Sequence, residues 1–95
     1  MNKEHKKVIV SGRVQGVFFR DSAKEVAHSL GIFGTVRNAT DGTVHVEIEG
    51  EHETLVQFLF WCATGPKDAI VTNMDVTKGE FKNFSTFEIL PDLQG

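Results

Sequence analysis

The chain has 95 residues, with 10 lysines and arginines against 13 aspartates and glutamates, 40% hydrophobic residues and a single cysteine. A chain of this length is expected to fold as one domain, which we place at residues 1–95. The formal charge of -3 supplies no basic field for a polyanion, so binding to nucleic acid is not expected. One thiol cannot form an intrachain disulfide, and no window has the roughly 18 apolar residues of a membrane span. We therefore expect a monomeric cytoplasmic protein without a membrane partner.

Periodicity and turn signals predict five strands and two helices. β-branched and alternating residues predict the strands, apolar residues at i, i+3, i+4 and i+7 predict the helices, and Asp41-Gly42 predicts a hairpin turn. Ser22 and Glu25 have the form of a capping box, so the first helix is expected to begin at Ser22. The predicted elements are a strand over 6–13, a helix over 22–31, strands over 32–38 and 44–49, a helix from about 52 to Gly65, and strands over 70–77 and 86–90.

The order β-α-β-β-α-β, with a short strand at the end, is typical of the ferredoxin-like split β-α-β sandwich. This is an α+β fold in which two helices cover one face of an antiparallel sheet. The first and second strands run parallel there, on either side of the third. The loop after the first strand is therefore expected to lie beside Asn38, at the end of the second strand, so that both segments share one concavity.

The loop between the first strand and the first helix reads SGRVQGVFFRDS from Ser11 to Ser22. Its glycines allow tight turns, and main-chain amides at a helix N-terminus bind phosphate-sized anions. Arg20 adds a guanidinium that can bind two phosphate oxygens at once. The loop lacks the Gly-Lys-Ser/Thr ending of a P-loop and the glycine spacing of a dinucleotide site. These residues alone leave two interpretations open, an anion site and a solvated surface arginine.

Two separate motifs, GRVQGVFFR at 12–20 and GTVRNATDGTVHVEIEG at 34–50, closely resemble the acylphosphatase family. The family patterns are G-x-V-Q-G-V-x-F-R and G-x-V-x-N-x-x-D-G-x-V. The resemblance continues through FLFWCATGPKDAIVTNMDV at 58–76 and FSTFEIL at 84–90, so it spans nearly the whole chain. It implies an enzyme that hydrolyses the carboxyl-phosphate bond of small acyl phosphates to a carboxylate and inorganic phosphate, with no metal and no cofactor.

The resemblance also implies which residues form the site. Arg20 falls on the family's phosphate-binding arginine and Asn38 on its water-positioning asparagine, so these two are the expected catalytic residues. The main-chain amides of the preceding loop fall on the family's phosphate-binding loop, which here comprises Gln15, Gly16, Val17, Phe18, Phe19 and Arg20. One of the two phenylalanines is expected to anchor this loop in the core, and the other to line the mouth of the site.

The other polar and aromatic side chains are expected to be structural. Cys62 lies on the apolar stripe of the second helix and is expected in the core. The histidines show no metal-ligand spacing, so no metal site is predicted. Solvent exposure is expected for His5, His28, His45 and His52 and for the acidic run Glu47, Glu49, Glu51 and Glu53. Core positions are expected for Phe58, Phe60 and Phe87. No role is predicted for the tail PDLQG after Leu90.

Other functions of the same fold remain as alternatives. One is a non-catalytic or specialised domain that binds carbamoyl phosphate or another small anion, similar to the domain at the start of hydrogenase-maturation carbamoyltransferases. Another is a protein-binding module, in which a change at Arg20 would leave phosphate affinity unaltered. RNA binding is disfavoured because the chain is acidic.

Overall fold

Five strands form one sheet in the order β4-β1-β3-β2-β5 in a computed structural model that describes residues 2–93. The elements are β1 (Lys3–Arg13), α1 (Phe19–Leu30), β2 (Phe33–Asn38), β3 (Val44–Glu51), α2 (His52–Thr64), β4 (Ile70–Lys78) and β5 (Phe87–Ile89). β3 pairs antiparallel with both β1 and β2, so these two strands run in the same direction. The predicted ferredoxin-like α+β fold is confirmed.

The last strand departs from the fully antiparallel sheet that the sequence predicts. β5 pairs in parallel with β2, with Gly34 opposite Phe87 and Val36 opposite Ile89, so the sheet is mixed. β4 and β5 lie at opposite edges, and the segment over 79–86 therefore crosses the sheet to join them. Neither helix between residues 2 and 93 is long and apolar enough to span a bilayer.

The core lies between the helices and one face of the sheet. The strands contribute their alternate residues and each helix contributes one stripe, as the periodicity predicts. Its buried members from the central strands and the helices are Val8, Val10, Val36, Val44, Val46, Ile48, Phe19, Ala23, Ala27, Leu55, Phe58 and Cys62. Core positions for Cys62, Phe58 and Phe87 are confirmed, but Phe60 is 81% exposed. Residues two apart on a helix point away from each other, so Phe60 faces away from Phe58 and Cys62.

Helix α1 begins at Phe19 rather than at Ser22. Its N-cap residue is Phe18, which has left-handed backbone angles and makes no capping hydrogen bond with its side chain. The amide of Ser22 donates to the carbonyl of Phe18 at 3.1 Å, so Ser22 lies inside the first turn and the predicted capping box is wrong. Burial of Phe19 explains the earlier start, because the left-handed turn directs that ring into the core. The predicted end at Gly31, also left-handed, is confirmed.

A cluster of polar side chains, with His5 and Glu49 buried at its centre, lies on the sheet face away from the helices. His5 is 2% exposed and Glu49 is 3% exposed. Nδ1 of His5 lies 2.7 Å from Oε2 of Glu49, and Nε2 lies 2.9 Å from Oε1 of Glu47. The expectation of solvent exposure is therefore wrong for His5 and Glu49, whereas Glu47 is partly exposed and His28 and His52 are exposed as predicted.

The crossing segment explains why this cluster is buried. The main-chain amides of Lys82 and Phe84 both donate to the carboxylate of Glu49, the second at 2.7 Å. The ammonium of Lys82 also lies 3.0 Å from Oε1 of Glu47. The ring of Phe84 lies 5.8 Å from the imidazole of His5, centroid to centroid. Glu49 thus binds the segment over 79–86 to the centre of the sheet.

Protonation of Glu49 is expected to destabilise the fold. Burial raises the pKa of this carboxyl, but hydrogen bonds from His5, Lys82 and Phe84 outweigh burial and hold the pKa below its ordinary value of 4.5. A lowered pKa in the folded state means that the stabilisation is complete above the unfolded-state pKa and is lost as the pH falls through the folded-state pKa. Between about pH 5 and about pH 3, the free energy of unfolding of the unmodified protein, measured in urea, is therefore expected to fall more steeply than that of Glu49→Gln.

The exposed Glu53 supplies the matched control, Glu53→Gln, which is expected to retain the steep pH dependence of the unmodified protein. Equal slopes for Glu49→Gln and the unmodified protein would contradict the role of this carboxylate.

Candidate active site

A cavity of about 370 Å³ lies where the loop after β1, the start of α1 and the end of β2 meet. Its volume is in the lower part of the range for sites that bind small molecules. The residues that line it are Val14, Gly16, Phe18, Phe19, Arg20, Asp21, Asn38 and Ile89. The cavity thus brings Arg20 and Asn38 together with much of the predicted loop. The side chains of Gln15 and Val17 do not line it.

Two left-handed residues shape the loop before α1. Gly16 has a φ of 73° and Phe18 a φ of 63°. A Cβ at Gly16 would meet nothing within 4 Å, so glycine is favoured there by the backbone angle and not by lack of space. Val17 and Phe19 are buried and anchor the loop, whereas Phe18 is 74% exposed at the mouth of the cavity. The two phenylalanines therefore have the two different environments that the sequence predicts.

Arg20 lies in the first turn of α1, not before the helix as expected. Its side chain is partly exposed, and Nη1 donates to Oδ1 of Asp92 at 3.2 Å. Within residues 2–93 this bond engages only one of the three guanidinium nitrogens. Nε and Nη2 therefore remain available to an anion in the cavity.

Asn38 ends β2 and is 8% exposed. No group within residues 2–93 donates a hydrogen bond to its side-chain oxygen, Oδ1, which is buried. A buried acceptor without a donor costs about 1–3 kcal/mol. A water molecule or ligand in the adjoining cavity can remove this cost by donating to the oxygen.

The turn after Asn38 is fixed by two side chains. Oδ1 of Asp41 accepts hydrogen bonds from the amide and the hydroxyl of Thr43, at 3.0 and 2.6 Å, and these bonds hold the pKa of Asp41 below its ordinary value. The hairpin predicted from Asp41-Gly42 is confirmed. Nε2 of Gln15 reaches the same turn and donates to the carbonyls of Ala39 and Thr43, both at 2.8 Å. The family motif includes this glutamine, but no sequence signal predicts its side-chain contacts.

The tail after β5 forms one rim of the site. The amide of Leu90 donates to the carbonyl of Val36 at 2.9 Å, and the amide of Leu93 donates to the carbonyl of Asn38 at 2.8 Å. Nε of Arg37 also donates to the carbonyl of Pro91 at 3.0 Å. The tail therefore continues along β2 and places Asp92 beside Arg20. Gln94 and Gly95 lie outside the described residues.

Comparisons with known proteins identify the family. The model of the family described as Acylphosphatase matches residues 6–89. The chain belongs to the acylphosphatase family. An acylphosphatase from Pelotomaculum thermopropionicum is 42% identical over 88 residues, which cover 88% of this chain and 96% of that relative.

Solved structures agree with this assignment to the acylphosphatases. The structure of an acylphosphatase from Coxiella burnetii aligns with a TM-score of 0.90 at 34% identity, covering 94% of this chain and 94% of that chain. A full-length HypF in a phosphate- and nucleotide-bound form aligns with a TM-score of 0.89, covering 96% of this chain but 12% of that one. Its identity is 24%, so this second likeness shows a shared fold alone.

The remaining reactive side chains of this acylphosphatase-family chain lie outside the cavity. Cys62 is fully buried, and burial raises the pKa of its thiol far above the ordinary range. A thiol in such surroundings is a poor nucleophile. No three His, Cys, Asp or Glu side chains among residues 2–93 are arranged to hold a metal ion. His5 contacts Glu47 and Glu49 through different ring nitrogens, so these three groups do not converge on one point.

Proposed function

We propose that this chain, as an enzyme of the acylphosphatase family, hydrolyses the carboxyl-phosphate bond of small acyl phosphates without a metal ion. The products are a carboxylate and inorganic phosphate. One observation carries the assignment of the catalytic residues: Arg20 and Asn38 line the same cavity at the N-terminus of α1, and nothing within residues 2–93 donates to the buried side-chain oxygen of Asn38.

In this proposal the phosphate of the substrate lies against Arg20 and the main-chain amides of the loop over 15–20. The first amides of a helix have no partner within the helix and carry partial positive charge, which suits a phosphate. The left-handed angles at Gly16 and Phe18 support the same site, because alternating backbone conformations let successive amides point towards one anion. Arg20 adds a full charge in a planar group, with two nitrogens that no residue between 2 and 93 engages.

Asn38 holds the attacking water. The water donates one hydrogen bond to Oδ1 and directs a lone pair at phosphorus. The water oxygen then forms a bond to phosphorus while the bond from phosphorus to the acyl oxygen breaks, and the carboxylate leaves with the bonding electrons. A proton of the water passes to a phosphate oxygen or to solvent.

A strong general base is not needed for this reaction. A carboxylate is a stable leaving group, and phosphoryl transfer passes through a loose transition state in which little bond to the water has formed. Positioning and charge stabilisation therefore supply most of the acceleration. This agrees with a cavity whose polar side chains are an amide, a guanidinium and the exposed carboxylate of Asp21.

The acyl group lies at the mouth of the cavity in this proposal, against Phe18 and Ile89, which both line it. Arg20 and Asn38 belong to one copy of the chain, so we propose that the monomer is the active unit. The cytoplasm stays the proposed location, and no nucleic-acid or membrane partner is included.

Asn38→Ala is expected to lower kcat for benzoyl phosphate about 100-fold, because a misplaced nucleophile costs about two orders of magnitude. The inhibition constant of inorganic phosphate is expected to change less than about twofold, since the groups proposed to bind phosphate remain. Asn73→Ala is the matched control, because Asn73 is exposed on β4. Unchanged turnover in Asn38→Ala would remove Asn38 from the mechanism.

Arg20→Ala is expected to lower kcat/KM for benzoyl phosphate about 1,000-fold and to weaken phosphate inhibition as well, since the variant loses the charge on the transferred group. Hydrolysis by the unmodified protein is expected to persist in excess chelator. Arg13→Ala, at an exposed position, controls for loss of a positive charge.

Either of two other results would indicate a different function. Phosphate binding through Arg20 without any turnover of the unmodified protein would indicate an anion-binding domain. Neither binding nor turnover would indicate a protein-binding module of the same fold.

Asp92→Asn is expected to lower KM for benzoyl phosphate about two- to fivefold, with kcat unchanged. The carboxylate of Asp92 lies beside the guanidinium and weakens its attraction for the phosphate, and an exposed ion pair of this kind contributes less than about 1 kcal/mol. Glu88→Gln removes the same charge from an exposed position on β5 and is expected to leave KM unchanged. Equal KM values for Asp92→Asn and the unmodified protein would show that Asp92 does not weaken substrate binding.

A further inference from the structure

The side chain of Gln15 connects the two halves of the site. Its main chain belongs to the loop before α1, and its carboxamide reaches the turn after β2. Nε2 donates to the carbonyls of Ala39 and Thr43, both at 2.8 Å. A carboxamide nitrogen has two hydrogens, so this contact uses the full donor capacity of the group.

The two carbonyls that accept these bonds belong to the turn that directly follows Asn38. The amide of Ala39 donates to the carbonyl of Thr43 at 2.9 Å, and the amide of Gly42 donates to the carbonyl of Ala39 at 3.2 Å, so both oxygens belong to the closed turn. Ala39 directly follows Asn38 in the chain. Gln15 therefore holds the peptide group between Ala39 and Thr40, one residue beyond Asn38, from the side of the loop.

We propose that Gln15 is a positioning residue for hydrolysis, whose side chain sets the distance between the loop that binds phosphate and the asparagine that holds water. The inference rests on the proposed role of Asn38. In-line attack requires the water and the phosphorus to be held by parts of the chain that do not move relative to each other. The strand ladder joins β2 to β1 only through β3, so Gln15 supplies a direct connection at the point of reaction.

Gln15→Ala is expected to lower kcat for benzoyl phosphate about 10- to 100-fold, because Asn38 is then held less accurately. The inhibition constant of inorganic phosphate is expected to stay within about twofold, because Arg20 and the loop amides remain. A purely structural role predicts the opposite pattern: a lower urea midpoint with little change in the kcat of the folded fraction. Unchanged kcat would overturn the proposal, as would a loss of phosphate affinity as large as the loss of kcat.

Gln15→Glu gives a second test, because the activity of one variant can be compared at different pH values. A carboxylate has nearly the shape of the carboxamide, but it donates no hydrogen bond and repels the two carbonyl oxygens. Its protonated form donates one. The kcat of this variant, divided by that of the unmodified protein, is therefore expected to rise as the pH is lowered from about 7 to about 5. Gln57→Glu, the same change at an exposed position of α2, is expected to give a flat ratio.

A double-mutant cycle with Asn38 separates this inference from the proposed function. If Gln15 acts through Asn38, then Gln15→Ala has no further effect on kcat once Asn38→Ala is present. Additive losses in the double variant would overturn the inference while leaving Asn38 in its role. Unchanged turnover in Asn38→Ala alone would instead remove the proposed function on which the inference rests. A ratio for Gln15→Glu that stays flat with pH would also overturn the positioning role.

Discussion

The antiparallel pairing of β3 with strands on both of its sides is the constraint on which the site depends. Val46 lies opposite Val8 of β1 and opposite Val36 of β2, and all three are buried. Because β1 and β2 both run antiparallel to β3, their C-terminal ends lie at the same end of the sheet. A slip of one residue would turn Val46 out of the core, so the burial that stabilises the sheet also fixes the register. The loop after β1 and Asn38 therefore meet as a result of core packing.

The position of Arg20 also depends on a strained backbone conformation at the start of α1. A left-handed conformation at a residue other than glycine costs about 1–2 kcal/mol, and Phe18 adopts it at the start of α1. Burial of a phenylalanine such as Phe19 contributes about 1.5–3 kcal/mol, which is enough to offset the cost of the left-handed conformation at Phe18. The ring of Phe19 also lies 5.2 Å from that of Trp61 of α2. Packing of one aromatic residue thus holds the turn that places Arg20 at the cavity.

Most of the fold, and the meeting of Arg20 with Asn38, could be predicted because they follow from periodicity, turn residues and topology. The start of α1 could not, because the capping-box pattern at Ser22 is a local signal and burial of Phe19 outweighs it. Alternation along β3 correctly separates its two faces, but it does not reveal what covers Glu49, since the segment over 79–86 has no periodic pattern. The contacts of Gln15 and Asp92 depend on side-chain reach between segments far apart in sequence.

β5 covers the outer edge of β2 from a distant part of the chain. The outer edge of β2 receives its partner only when residues 87–89 have been made, more than a full helix and two strands later in the chain. Until then β2 presents unpaired amide and carbonyl groups that can join a strand of another nascent chain. The same C-terminal segment thus covers the outer edge of β2 and, through Asp92 and Leu93, completes the rim of the cavity.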